Sequence, residues 1–165
     1  MSSLLLSSDM LVISNHLVYL AIAKESLAKS QRFSQRQRTE LANGRALIRY
    51  DPKQRSFKNS LIAIAFSGMY LEALLHLVGS RRLGINAYEK IDGKTYEDKL
   101  RALAINDTAL LADCKRFRES RRDLEHEKAF HPRSSREMRT AQLEAADAVA
   151  LIERVRDLLT QKPKP

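Results

Sequence analysis

Between Ser56 and Gly79 the chain is apolar on almost every side: Leu61, Ile62, Ile64, Phe66, Met69, Leu71, Leu74, Leu75, Leu77 and Val78 point in all directions around a helix. A helix with no polar face is either buried at the centre of a domain or placed in a bilayer. The stretch barely reaches the roughly 20 residues needed to span a membrane. Glu72 and His76 lie inside it, and ionisable groups are costly in lipid. The expectation is a central helix wrapped by the rest of the chain, with no membrane partner.

The flanking segments read as the wrapping. A first helix is expected from Asp9, capped by Ser8 or Asp9, with Leu11, Leu17, Leu20 and Leu27 as its apolar positions. It continues through a polar stretch, Ser30 to Thr39, anchored only by Phe33, as helix or loop. Leu41 to Tyr50 regains apolar character before Asp51-Pro52 stops it. Residues 79–93 read as a connection carrying Gly84 and an Asp92-Gly93 turn. Thr95 and Asp98 open a short helix, and Asn106 or Asp107 caps a fourth, running to about Phe130 before Pro132. Ser134 and Glu137 form a capping box for the last helix, whose stripe is Met138, Ala141, Ala145, Val149, Ile152, Val155 and Leu159.

No strand is needed anywhere, so the fold class is all-α, an up-and-down helical bundle of four to five helices. Five glycines in 165 residues are too few for the turns of a β-sandwich or barrel. The length fits one domain, residues 1–161, with a disordered tail at 162–165. A single cysteine, Cys114, excludes an internal disulfide and Cys-rich zinc modules. With no basic n-region at the N-terminus, the expected compartment is the cytoplasm.

The formal net charge is +9, and residues 24–58 hold +7 of it, ten cations against three acids. Arg32, Arg36, Arg38, Arg45 and Arg49 lie in this block, and Phe33 and Tyr50 could stack on unpaired bases. Such a block is either a solvated surface or a contact for RNA. Phosphate-binding loops, nucleophile elbows and His-Glu-x-x-His sequences are absent. Asp123, His126 and Glu127 share a helix face but read as surface, so neither a metal nor a cofactor is expected. A DNA-binding regulator is disfavoured, for no helix-turn-helix spacing with its Gly turn is evident.

The fourth helix carries the chemistry. Leu110, Cys114, Phe117 and Leu124 make a core stripe, and Arg121 stands on it where Leu is expected. A charge there must be paired or face an interface. Glu72 is a candidate partner for Arg121 and, one turn on, for His76. Five residues after Arg121 comes His126, whose ordinary pKa suits proton transfer near neutrality. On a straight helix the two diverge by about 140°, so a shared site on one phosphate is more natural between two chains.

The run Phe117-Arg118-Glu119-Ser120-Arg121-Arg122-Asp123-Leu124-Glu125-His126-Glu127-Lys128 resembles the signature of the HEPN family, an Arg followed after four to six residues by a His late in the bundle. The resemblance implies a homodimeric, metal-independent endoribonuclease in which the ribose 2′-hydroxyl attacks the adjacent phosphate. It implies His126 as general acid or base and Arg121 as the phosphate-binding group, with Arg122 and Glu72 in support. It further implies a toxin of a toxin–antitoxin or phage-defence system, partnered by a nucleotidyltransferase-type antitoxin. Arg122 stands where catalytic members carry Asn, Asp or His, and this keeps a second reading open: a non-catalytic HEPN-like RNA-binding or scaffolding protein.

Overall fold

The computed structural model describes residues 3–7, 10–35, 38–40, 42, 46–48, 53–125 and 141–160, with side chains over 14–34, 42, 53–122 and 141–160. Among the described residues, six helices make up the body: α1 (His16–Gln35), α2 (Arg55–Leu83), α3 (Ile85–Asp92), α4 (Tyr96–Ala102), α5 (Thr108–Glu125) and α6 (Ala141–Thr160). Two hairpins accompany them, β1 (Ser3–Ser7) with β2 (Met10–Ser14), and β3 (Arg38–Glu40) with β4 (Ala46–Ile48). The predominantly helical class is as expected.

Helix α2 is the centre of the bundle, contacting α1, α3, α4, α5 and α6. Ala63, Ile64, Tyr70, Leu71, Leu74, Leu75 and Leu77 are buried along it. This explains its hydrophobicity on opposite faces without lipid. It is long and apolar enough by composition to span a membrane, yet more than half of its most apolar stretch is buried inside the bundle. Against it pack Leu20 and Ala23 of α1, Leu110, Cys114 and Phe117 of α5, and Ala145, Val149, Ile152, Val155 and Leu159 of α6. The stripes expected on α5 and α6 are therefore core from Leu110 to Phe117 and from Ala145 to Leu159, while Arg121 and Ala141 are half-buried.

Several boundaries differ from expectation. The first helix begins at His16, not Asp9, because Leu11, Val12 and Ile13 pair with Leu6, Leu5 and Leu4 in an antiparallel ladder. Branched and leucine-rich runs separated by Ser8-Asp9 satisfy their backbone as a hairpin more readily than as one exposed helical turn after another. The carbonyl of Asn15 then accepts from the amides of Val18 and Tyr19, 2.9 and 3.2 Å. The strand-free expectation fails here and at β3–β4, where Arg38, Thr39 and Glu40 pair with Ile48, Leu47 and Ala46.

The helix count also exceeds four to five, since residues 79–93 are not an irregular connection. Helix α2 runs to Leu83, and Gly84, at φ 84°, turns the chain at a left-handed angle that favours glycine. Helix α3 follows at once. Its Tyr88 is buried and meets His76 edge-on at 5.3 Å. Two caps stand as read: Thr95 Oγ1 accepts from the Asp98 amide at 3.2 Å, and Asp107 Oδ1 accepts from the amides of Ala109 and Leu110 at 3.0 Å. The expected capping box at Ser134 and Glu137, the α5 extension toward Phe130 and the tail at 162–165 fall outside the described residues.

Helices α1 and α2 meet through hydroxyls. Ser30 Oγ lies 2.7 Å from Ser60 Oγ and 3.1 Å from Ser56 Oγ, and Ser34 Oγ lies 2.6 Å from Ser56 Oγ. Gln142 Nε2 of α6 donates to Ser56 at 3.2 Å. Small side chains let the two long helices approach closely, and mutual hydrogen bonding offsets the burial of their hydroxyls.

Candidate functional site around Arg121

Arg121 sits on the core stripe of α5, half-buried one turn beyond Phe117. Its guanidinium lies against Gly68 of α2. A methyl group at that position would come within 2.4 Å of Nη1, 2.8 Å of Cζ and 2.9 Å of Cδ. Glycine is thus the residue that leaves room for the arginine on the central helix. From this cradle Nη1 donates to the hydroxyl of Tyr96 at 2.8 Å. Tyr96 is buried at the start of α4 and stacks on Phe117, 6.2 Å between ring centres.

The tyrosine hydroxyl faces two charges. Burial first, then the negative charge of the nearby Glu72 carboxylate, push the phenol pKa upward, while the Arg121 guanidinium opposes the shift. Glu72 in turn receives the ammonium of Lys99 at 2.9 Å, and Asp92 lies 3.4 Å from the same nitrogen. Lys99 is only 2% exposed, whereas about half of each carboxylate's side-chain surface is open to solvent. A buried ammonium must have such partners, since a lone charge in the interior is costly. Beside it, Arg118 pairs with the buried Glu97 at 3.2 Å.

Helices α2, α3, α4 and α5 therefore converge on one network. Its three cations, Lys99, Arg118 and Arg121, are matched by Glu72, Asp92 and Glu97. Glu72, the partner expected for Arg121 from sequence, pairs with Lys99, and Arg121 bonds the Tyr96 hydroxyl. His76 does not take part as a partner of Glu72 and packs against Tyr88 instead. Arg122 is exposed on α5. His126 lies outside the described residues, as do Asp123 and Glu127 in their side chains. Gly68, Tyr96 and Lys99 escaped the sequence reading. A glycine in the middle of the apolar central helix was the available signal.

The basic block surrounds the end of α1 and the start of α2. Lys29, Arg32, Lys53, Arg55 and Lys58 are exposed there. The Phe33 ring expected to meet a base is covered by Arg55, whose Cζ lies 5.4 Å from the ring centre. Phe57, 44% exposed, offers an aromatic face in the same region. Side chains of Arg36, Arg38, Arg45, Arg49 and Tyr50 lie outside those described.

Elsewhere a cleft of about 150 Å³ opens between α5 and α6, floored by Phe117, Ala148 and Leu151 and rimmed by Asp113 and Arg154, which pair at 2.7 Å. It is smaller than the roughly 300–1,000 Å³ of ordinary cofactor pockets. Among the described residues no group of three His, Cys, Asp or Glu side chains is arranged to hold a metal ion. Cys114 is fully buried, and burial pushes its thiol up to about 12, so it is no nucleophile. Comparison of the chain with protein families, with curated proteins and with solved structures finds no match.

Proposed function

We propose that the protein is a metal-independent, HEPN-like endoribonuclease that acts as a homodimer. The observation that carries the reading is Arg121: an arginine kept on a core stripe, seated on glycine and held by a tyrosine hydroxyl, five residues before a histidine. Arg121 contacts the scissile phosphate and stabilises the charge that builds on its oxygens. The ribose 2′-hydroxyl forms the new bond to phosphorus as the 5′-oxygen bond breaks. His126 takes the hydroxyl proton or returns one to the leaving 5′-oxygen. The products are a 2′,3′-cyclic phosphate and a free 5′-hydroxyl, with no co-reactant. Arg122 and the basic block at 24–58 contact the RNA backbone.

The homodimer gives a use to Ile62 and Met69, each 40% exposed two turns apart on one face of α2. Apolar side chains in that position serve a partner surface better than they serve solvent. The biological role that goes with the resemblance is a toxin neutralised by a nucleotidyltransferase-type antitoxin. A second reading, a non-catalytic RNA-binding or scaffolding module, is favoured by Arg122 after the motif arginine and by the Tyr96 hydroxyl that already engages Arg121.

The test is cleavage of a labelled RNA in EDTA by the wild type and variants. His126→Ala abolishes cleavage while helical circular dichroism stays unchanged. Arg121→Lys keeps the charge but loses the planar fork, and activity falls with the fold intact. A wild type that cleaves no RNA, and is harmless when expressed alone, establishes the second reading.

A further inference from the structure

We infer that Tyr96 is a positioning residue for the RNA cleavage proposed above, and that its hydroxyl fixes the orientation of the Arg121 guanidinium. The inference rests on that ribonuclease reading. Three observations carry it. The first is contact: Nη1 of Arg121 donates to the Tyr96 hydroxyl at 2.8 Å. The second is rigidity on the tyrosine side. Its ring is 4% exposed and stacked on Phe117 at an interplanar angle of 19°. Its hydroxyl also faces the Glu72 carboxylate, which the buried Lys99 ammonium holds at 2.9 Å. The third is rigidity on the arginine side, since the guanidinium is laid against Gly68 with no room for even a methyl group between them.

An arginine side chain has many rotamers, and each must be frozen before its fork can match a phosphate. Fixing one of its five donors to a residue that cannot move pays that entropy during folding rather than at the transition state. The hydroxyl suits the task because it accepts from arginine at a fixed place on a buried ring. Phenylalanine would fill the same space and accept nothing. Lys99 belongs to the same device at one remove. It anchors Glu72, and Asp92 at 3.4 Å holds the ammonium from its other side.

The experiment compares wild type and Tyr96→Phe on one RNA substrate, with the Arg121 side-chain Nε–H observed by nitrogen-15 relaxation. The ring and its stacking survive this change. Expected are a kcat lower by on the order of tenfold, a KM within about twofold, and a lower order parameter for the Arg121 Nε–H. A purely structural hydroxyl would shift the melting temperature and leave kcat alone. Tyr96→Phe cleaving at the wild-type rate overturns the positioning role and leaves the ribonuclease reading standing. A lower kcat with unchanged Arg121 relaxation also overturns it, because the loss then comes by another route. A wild type that cleaves nothing overturns both. Should Tyr96→Phe fail to fold, Glu72→Gln decides, its side chain being 48% exposed. It removes the charge that faces the same hydroxyl, and an unaltered kcat there refutes the proposal.

Discussion

Replacing Gly68 by alanine sets two effects of similar size against each other. In the interior of α2, Gly→Ala removes backbone freedom from the unfolded chain and stabilises the helix by about 1 kcal/mol. The added methyl would overlap the Arg121 guanidinium, 2.4 Å from Nη1 and 2.8 Å from Cζ. Those atoms end a flexible side chain, so the arginine swings away and the backbone stays. The 2.8 Å bond to the Tyr96 hydroxyl is then broken, a charge-assisted bond of roughly 1.5–3 kcal/mol when well formed. Because Arg121 is half-buried, water recovers part of that loss. The net change is a destabilisation of about 0–1.5 kcal/mol, or a fall of no more than about 6 °C in Tm for a chain of this size. Thermal denaturation by circular dichroism reads that figure, and the RNA cleavage assay reads the other consequence, a fall in activity out of proportion to stability. An alanine variant that gains the full helix-propensity increment and cleaves at the wild-type rate refutes the seat.

Two further outcomes follow from burial. Desolvation pushes the Cys114 thiol and the Tyr70 phenol each up to about 12, and raises Tyr88 and Tyr96 as well. In the unfolded chain the thiol ionises near pH 8.5 and the phenols near pH 10. The unfolded state therefore releases protons first. Stability that is complete below about pH 8.5 declines as pH rises toward 12. Urea midpoints at pH 8 and pH 10 should show the fall, Cys114→Ala should reduce it, and a flat profile contradicts the assigned burial. On the exposed side of α2, Ile62→Glu or Met69→Glu should shift a dimer to monomer in light scattering while preserving helicity. An already monomeric wild type at micromolar concentration counts against a shared site.

The central helix was legible because its cause is strong and local: ten large apolar residues on all faces leave no orientation in which the helix can stay exposed. The α5 and α6 stripes and the Thr95 and Asp107 caps were legible for the same reason, since spacing of 3.6 and a single side-chain oxygen suffice to specify them. Leu11, Val12 and Ile13 were misread because a short apolar run fits a helix or a strand equally well. Only pairing with Leu4 to Leu6, a choice between partners rather than a local property, decides it. Helix α3 was hidden by Gly84, whose turn resembles a loop, and by a helix too short to show its own period.

For the site, Arg121 stood out because a charge on an apolar stripe violates the pattern. Its seat did not. Gly68, Tyr96 and Lys99 come from two other helices, and only tertiary packing brings them together. Lys99 in particular reads as a surface residue of a short helix, yet it is buried between Glu72 and Asp92. The serine seam of α1 and α2 escaped for the same reason. Serines four residues apart mean little until a second helix supplies their partners.

The balance of charge around Arg121 separates two tasks that the sequence left merged. Lys99, Arg118 and Arg121 are matched by Glu72, Asp92 and Glu97, so this network presents little net field to draw in a polyanion. Residues 24–58, at +7, carry the excess. Attraction of RNA should thus come from the α1–α2 end and orientation of the phosphate from Arg121. Binding of an uncleavable single-stranded RNA across a salt series distinguishes them, because each neutralised phosphate adds about 0.7 to the logarithmic salt slope. Reversing Arg36 and Arg38 to glutamate should lower that slope by about 1.4, since two phosphates are then left without their cations, and should weaken binding to all sequences alike. Arg121→Ala should change it by no more than about 0.7 while removing cleavage. A large drop in slope when Arg121 is removed, or none on reversing Arg36 and Arg38, would place the RNA across the seat itself and undo the division.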